Sequence, residues 1–179
     1  AAVLLDLADD PVFAGHPLRA KLLVLVLARL RPLPPRALAF WQRFSGPDSS
    51  LATDVVIATC VNRTPESLGL FSRMVLDEAH PFALRVSWLR RELLPVRDDE
   101  TVVRAAAVVL ESAPAALRHR VLEVLFDFRP GRWYRSCRHP SPPDRRLASE
   151  RVRGGLGRIA ERALRDPTLP GPLRKVLEQ

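Results

Sequence analysis

The placement of proline constrains this chain more than any other feature. Seventeen prolines in 179 residues would ordinarily argue against helices. Here, however, many of them fall at regular intervals, at marks that recur about every 16 residues between apolar runs of helical period. Proline has no N–H to lose at the first turn of a helix, and its fixed φ suits that position. The same residue that breaks a helix interior therefore starts a helix when it stands at the boundary. His16-Pro17 opens a run to about residue 30, and Pro34-Pro35 one to about 44. Gly46-Pro47-Asp48 leads into 50–62, Thr64-Pro65 into 66–79, and His80-Pro81 into 82–94. Asp98-Asp99 then caps 100–112, and Pro114 opens a run to about 128. At several of these marks an Asp, Ser or Thr can also accept from the free N–H groups of the first turn.

The runs themselves have helical spacing. Phe82, Val86, Leu89 and Leu93 fall at i, i+4, i+7 and i+11, and Val103, Ala106, Ala107 and Leu110 at i, i+3, i+4 and i+7. Leu117, Val121, Val124, Leu125 and Phe128 keep one face in the same way. No segment offers period-2 alternation bounded by hairpin turns, so the expected fold class is all-α. The His-Pro starts at 16 and 80 lie 64 residues apart, with an intermediate start near Asp48 and the next step at Ser112. This implies a two-helix unit of about 32 residues, in the range of helical repeat arrays.

One segment carries a family resemblance. Asp98-Asp-Glu-Thr-Val-Val-Arg-Ala-Ala-Ala-Val-Val-Leu110 resembles the second-helix signature of HEAT and HEAT-like repeats through Asp98, Glu100, Val103, Arg104, Ala106, Ala107 and Leu110. The resemblance implies an α-α superhelix, a HEAT-like solenoid of antiparallel helix pairs over residues 1–128. Residues 129–179 would then form a basic loop and C-terminal helices packed on the same domain. Small alanines let neighbouring helices approach while Val and Leu fill the layer between them. Which helices would line a concave face stays open.

Charge separates the two ends of the chain. From Ala1 to Glu111 there are 13 Lys/Arg against 13 Asp/Glu, and from Ser112 to Gln179 there are 15 against 7, which supplies the whole net charge of +8. Only Lys21 and Lys175 are lysine. Arginine-rich coding accounts for that bias, and Arg also suits bidentate contacts to phosphate and carboxylate. After residue 128 the Pro- and Arg-rich tract 129–146 reads as a loop. A helix follows from about 142–144, with Val152, Leu156, Ile159 and Ala163 as its apolar stripe. Gly154, Gly155 and Gly157 mark either a break in it or a place of close packing. The segment 166–172 links to a short final helix.

The candidate contacts for an anion or nucleic acid are Arg132, Trp133, Tyr134, Arg135, Arg138, Arg145, Arg146, Arg151, Arg158 and Arg162. The arginines at 151, 158, 162 and 165 share one helix face at i, i+7, i+11 and i+14. Such a patch attracts nucleic-acid phosphates, acidic lipid headgroups or an acidic protein, and Trp133 and Tyr134 could stack on bases or form cation–π contacts with Arg. A solvated face with the aromatics capping the core explains the same residues, and no nucleic-acid motif accompanies them.

The remaining chemistry-bearing residues suggest no catalyst. His16 and His80 precede proline and read as turn residues, His119 is flanked by Arg118 and Arg120, and Cys137-x-His139 has no second ligand pair. The acidic clusters Asp9-Asp10, Asp77-Glu78 and 98–100 sit near helix ends, and the last lies where negative charge meets a helix N-terminus favourably. Cys60, Trp41 and Trp88 read as core residues. No nucleophile elbow, phosphate loop, dinucleotide fingerprint or zinc-protease motif is present. Neither a cofactor nor a metal is expected, and enzymatic activity is less favoured than binding.

The first expectation is therefore a protein-binding scaffold or adaptor, and the second a nucleic-acid-binding repeat protein. A HEAT-like glycosylase acting on alkylated DNA is a third, resting on fold analogy alone. Two cysteines fit a reducing, cytoplasmic setting. The longest strongly apolar run, 22–28, is far too short to span a bilayer. The start at Ala1, with Met74 the only methionine, is expected of a piece of a longer or processed chain.

Overall fold

Proline and capping residues mark the helix starts, as their backbone chemistry requires. The computed structural model describes residues 2–93, 99–126 and 150–178. Among them it contains eleven α-helices and no strand. They are α1 (Ala2–Asp9), α2 (Pro11–Ala14), α3 (Pro17–Leu27), α4 (Pro35–Arg43), α5 (Ala52–Asn62), α6 (Pro65–Leu76), α7 (Phe82–Trp88), α8 (Glu100–Ser112), α9 (Ala115–Leu125), α10 (Glu150–Leu164) and α11 (Gly171–Leu177). A π-helical turn, Leu89–Leu93, follows α7, so the run expected to continue as α-helix to 94 widens instead. Two short helices, α1 and α2, precede the first start read from the sequence. None of the described helices is long and apolar enough to cross a membrane.

The caps have the anticipated geometry. Pro17, Pro35 and Pro65 each open a helix. Thr64 accepts from the Ser67 N–H, Asp99 from Thr101 and Asp10 from Val12, each satisfying an N–H that has no intrahelical partner. Several acidic cluster residues have defined partners: Asp10 and Asp99 cap, Asp77 accepts from Ala79 N–H, and Asp9 pairs with Arg36 from α4.

The chain forms two compact units, Ala1–Glu92 and Leu93–Gln179. In the first, the core is built from large side chains: Phe40, Trp41, Phe71 and Trp88 are all almost completely buried. The helices are pinned by side chains that reach backbone carbonyls. Trp41 Nε1 donates to Val24 O at 3.2 Å, and Asn62 Nδ2 donates to Ala28 O at 3.1 Å and Leu30 O at 2.8 Å. Asn62 thus satisfies the end of α3 from α5. Lys21 also meets Asp54 at 3.1 Å, so contacts ascend together along the two helices and α3 and α5 run parallel.

His80 follows α6 in the turn expected of it, but it is buried. Its Nε2 lies 2.9 Å from Ser45 O; a carbonyl can only accept, so Nε2 carries the proton. The ring meets Trp88 edge-on at 5.0 Å. Arg85 is also buried, donating to Val75 O at 3.2 Å over the Phe82 ring. Nothing in local spacing distinguishes these two residues from exposed ones.

In the second unit the described core is aliphatic, dominated by Val102, Val103, Val109, Leu117, Val121 and Leu125. α8 and α9 pack on one another across the short Ala113-Pro114 link. α10 packs on α8 and runs parallel to it: Arg151 lies near Glu100, Gly155 against Val103, and Arg162 against Glu111. α10 continues through its three glycines. Only Gly155 answers to close packing, because a Cβ there would stand 3.0 Å from Val103 Cγ1.

Candidate interaction groove

The second unit contains an open groove whose described lining comes from α8, α9, α10 and the turn after α10, enclosing about 590 Å³. It follows from unequal side-chain size. Gly155 allows α8 and α10 to touch at Val103, while Ala107 and Ala163 are too small to fill the space farther along. The floor is apolar: Ala107, Leu110 and Ala163 are partly exposed above the buried Val103, Leu122 and Ile159.

Charge is confined to the rim and one end. Arg104, Arg118, Arg158, Arg162 and Arg165 stand against Glu111 and Asp166. Three of these arginines are committed. Arg104 Nη2 donates to Glu100 at 2.6 Å, Arg162 Nη1 to Glu111 at 2.7 Å, and Arg118 Nη2 to Asp166 at 2.8 Å. The first two pairs are solvent-exposed and hold their partners weakly, each worth roughly 0–1 kcal/mol. Arg158 and Arg165 are exposed and have no carboxylate or carbonyl partner among the described residues.

The end of the groove at Asp166 is rigidly built. Asp166 accepts from the Thr168 hydroxyl at 2.6 Å and the Thr168 N–H at 2.8 Å, forming a tight turn after α10. Those hydrogen bonds, together with the Arg118 guanidinium, hold its carboxyl down to about 2. Arg118 also donates to Ala113 O, and Arg174 donates to Leu164 O and Asp166 O, so arginines satisfy the carbonyl ends of both α8 and α10.

Of the sequence candidates, Arg158 and Arg162 meet at this groove, while Arg151 lies 3.9 Å from Glu100 at the start of α10. Arg132, Trp133, Tyr134, Arg135, Arg138, Arg145 and Arg146 lie outside the described residues, as do Cys137 and His139. Arg118 and Glu111 were not anticipated as site residues. Their only sequence signal is position on the α8 and α9 stripes, and their partners are 48 and 51 residues away. No cluster of three or more His, Cys, Asp or Glu able to hold a metal occurs among the described residues. In comparisons with known proteins, the chain matches no family model, no curated protein and no solved structure.

Proposed function

We propose that this chain is a protein-interaction scaffold or adaptor module, built as HEAT-like stacked helix pairs, that receives a segment of another protein in the groove between α8 and α10. The stacking reading is supported by two parallel contacts between helices that are next but one among those described, α3 with α5 and α8 with α10. Successive layers of antiparallel pairs require that relation. The observation that carries the binding reading is a groove with an apolar floor and an arginine rim, two of whose guanidiniums have no described protein partner. Interfaces favour this combination of apolar centre and polar border, with Arg among the enriched residues. The setting that fits such a module with two cysteines is the cytoplasm.

Nucleic-acid binding is the weaker reading for this surface. Of its described candidates, Arg151 and Arg162 already face carboxylates, and a phosphate chain would leave the apolar floor uncovered. The glycosylase analogy needs a carboxylate beside aromatic side chains. In the described groove Glu111 is exposed and paired, Asp166 is committed to Thr168 and Arg118, and no aromatic lines the floor.

The test is a selection of displayed random peptides on the whole chain, repeated on Ala107→Trp, which places a large ring in the groove. Peptides that bind the parent chain and lose most of their affinity for the variant are the expected result. Enrichment of nothing, or of peptides indifferent to the variant, removes the reading.

A further inference from the structure

Resting on that reading, we infer that the occupant of the groove is an acidic amphipathic helix with two carboxylates spaced two helical turns apart. The spacing is set by α10. Arg158 lies within it and Arg165 immediately follows its last residue; seven residues at 1.5 Å rise place them about 10.5 Å apart on one face. Arg162 stands between them and is turned across the groove to Glu111. The rim therefore presents two guanidiniums with no carboxylate partner among the described residues, flanking one that is paired. A partner helix lying along α10 meets both with acidic residues at i and i+7.

The floor dictates what lies between those anchors. Ala107, Leu110 and Ala163 offer partly exposed apolar surface. Apolar partner side chains at i+3 and i+4 project from the same helix face as the carboxylates and cover it. The small alanines allow the partner backbone to approach to ordinary helix-packing distance. A neutral helix would cover the floor but leave Arg158 and Arg165 unmatched, and a basic one would be repelled by them. Opposite charge at this rim contributes to specificity and capture as well as affinity.

The experiment uses fluorescence anisotropy of the full chain with a synthetic labelled helical peptide of about five turns, carrying two Glu seven positions apart with Leu at the intervening i+3 and i+4 sites. The expected result is saturable binding, weakened about tenfold or more when both Glu become Lys and several-fold when they become Gln. The double variant R158E/R165E, whose changes lie at exposed positions, is expected to keep the parent melting temperature. It should lose the Glu peptide and gain the Lys peptide.

Equal binding of the Glu and Gln peptides, or no gain of the Lys peptide by the double variant, overturns the inference. Displacement of the peptide by single-stranded DNA of similar length also overturns it and assigns the rim to phosphate. If displayed peptides require an open groove but show no acidic pair at i and i+7, this inference fails while the interaction module stands. If no peptide of any kind depends on the groove, both fall.

Discussion

The two units solve the same packing problem with different side chains. Ala1–Glu92 fills its centre with Phe40, Trp41, Phe71 and Trp88 and turns polar groups inward. Asn62, His80, Arg85 and the Trp41 indole each reach a backbone carbonyl in the interior. Leu93–Gln179 has a described core of aliphatic residues and no buried polar or charged side chain among the described residues. Five of its described arginines stand with Glu111 and Asp166 on the rim of a groove. By sequence it carries seventeen Lys/Arg against eleven Asp/Glu, where the first unit carries eleven against nine.

The difference is physical rather than decorative. A polar side chain that satisfies an internal carbonyl fixes helix positions and is unavailable to a partner. A guanidinium left on the edge of an apolar groove is available. The first unit is therefore the better internally stapled of the two, and the second the one suited to recognition. The first unit does expose apolar side chains, Leu18, Leu22 and Val26 along one face of α3, but nothing in its charge pattern says what would cover them.

Three substitutions test that contrast. The largest effect is expected from Trp41→Ala, which empties a fully buried aromatic site of the first unit and frees Val24 O. Chemical denaturation followed by circular dichroism should show a loss of about 4 kcal/mol in the transition of that unit. A loss under 1 kcal/mol would mean that the aromatic core is not what holds it.

Asn62→Ala is next. It strands the Ala28 and Leu30 carbonyls at the end of α3 and removes the acceptor for the Thr64 hydroxyl, so about 2 kcal/mol should disappear. Amide hydrogen exchange should localise the loss to the α3–α5 contact. Uniform protection would show that internal polar stapling contributes little.

The smallest effect belongs to the second unit. The Asp166 carboxyl is held below its ordinary value in the folded state, so its contribution is complete above the unfolded-state pKa and is lost as pH falls from about 4 to about 2. Asp166→Asn should cost about 1–2 kcal/mol near neutral pH. The gap between parent and variant should narrow to about half by pH 3 and mostly close by pH 2. A constant gap across that range would mean that the turn depends on hydrogen-bond geometry and not on the ionised carboxylate.

Much of the helical order was legible in the residues. Pro17, Pro35, Pro65, Thr64 and Asp99 sit where the starts were read, because capping and the steric effect of proline act within one turn of chain. The end of α7 was less legible. The stripe Phe82, Val86, Leu89, Leu93 carries no sign of the π-helical turn at Leu89–Leu93, since a wider turn keeps the same residues apolar. Of the two helices before Pro17, α1 has no strong stripe or opening proline. By contrast, α2 carries the same start signal as the later helices, Asp10 capping ahead of Pro11, and was missed because at four residues it is too short to show a stripe.

The candidate site divides in the same way. That Arg158, Arg162 and Arg165 share a face follows from 3.6 residues per turn, and the sequence determined it alone, along with the all-helical class and the basic last third. That Arg162 is turned to Glu111, 51 residues distant, while its neighbours on the stripe are not, was decided by the tertiary structure. So was the use of Gly155, which reads only as a weak helix residue until Val103 is placed 3.0 Å from its missing Cβ. Periodicity and capping are short-range properties of the backbone. Which guanidinium finds a carboxylate depends on how α8 and α10 pack, and that is fixed by volumes contributed from separate parts of the chain.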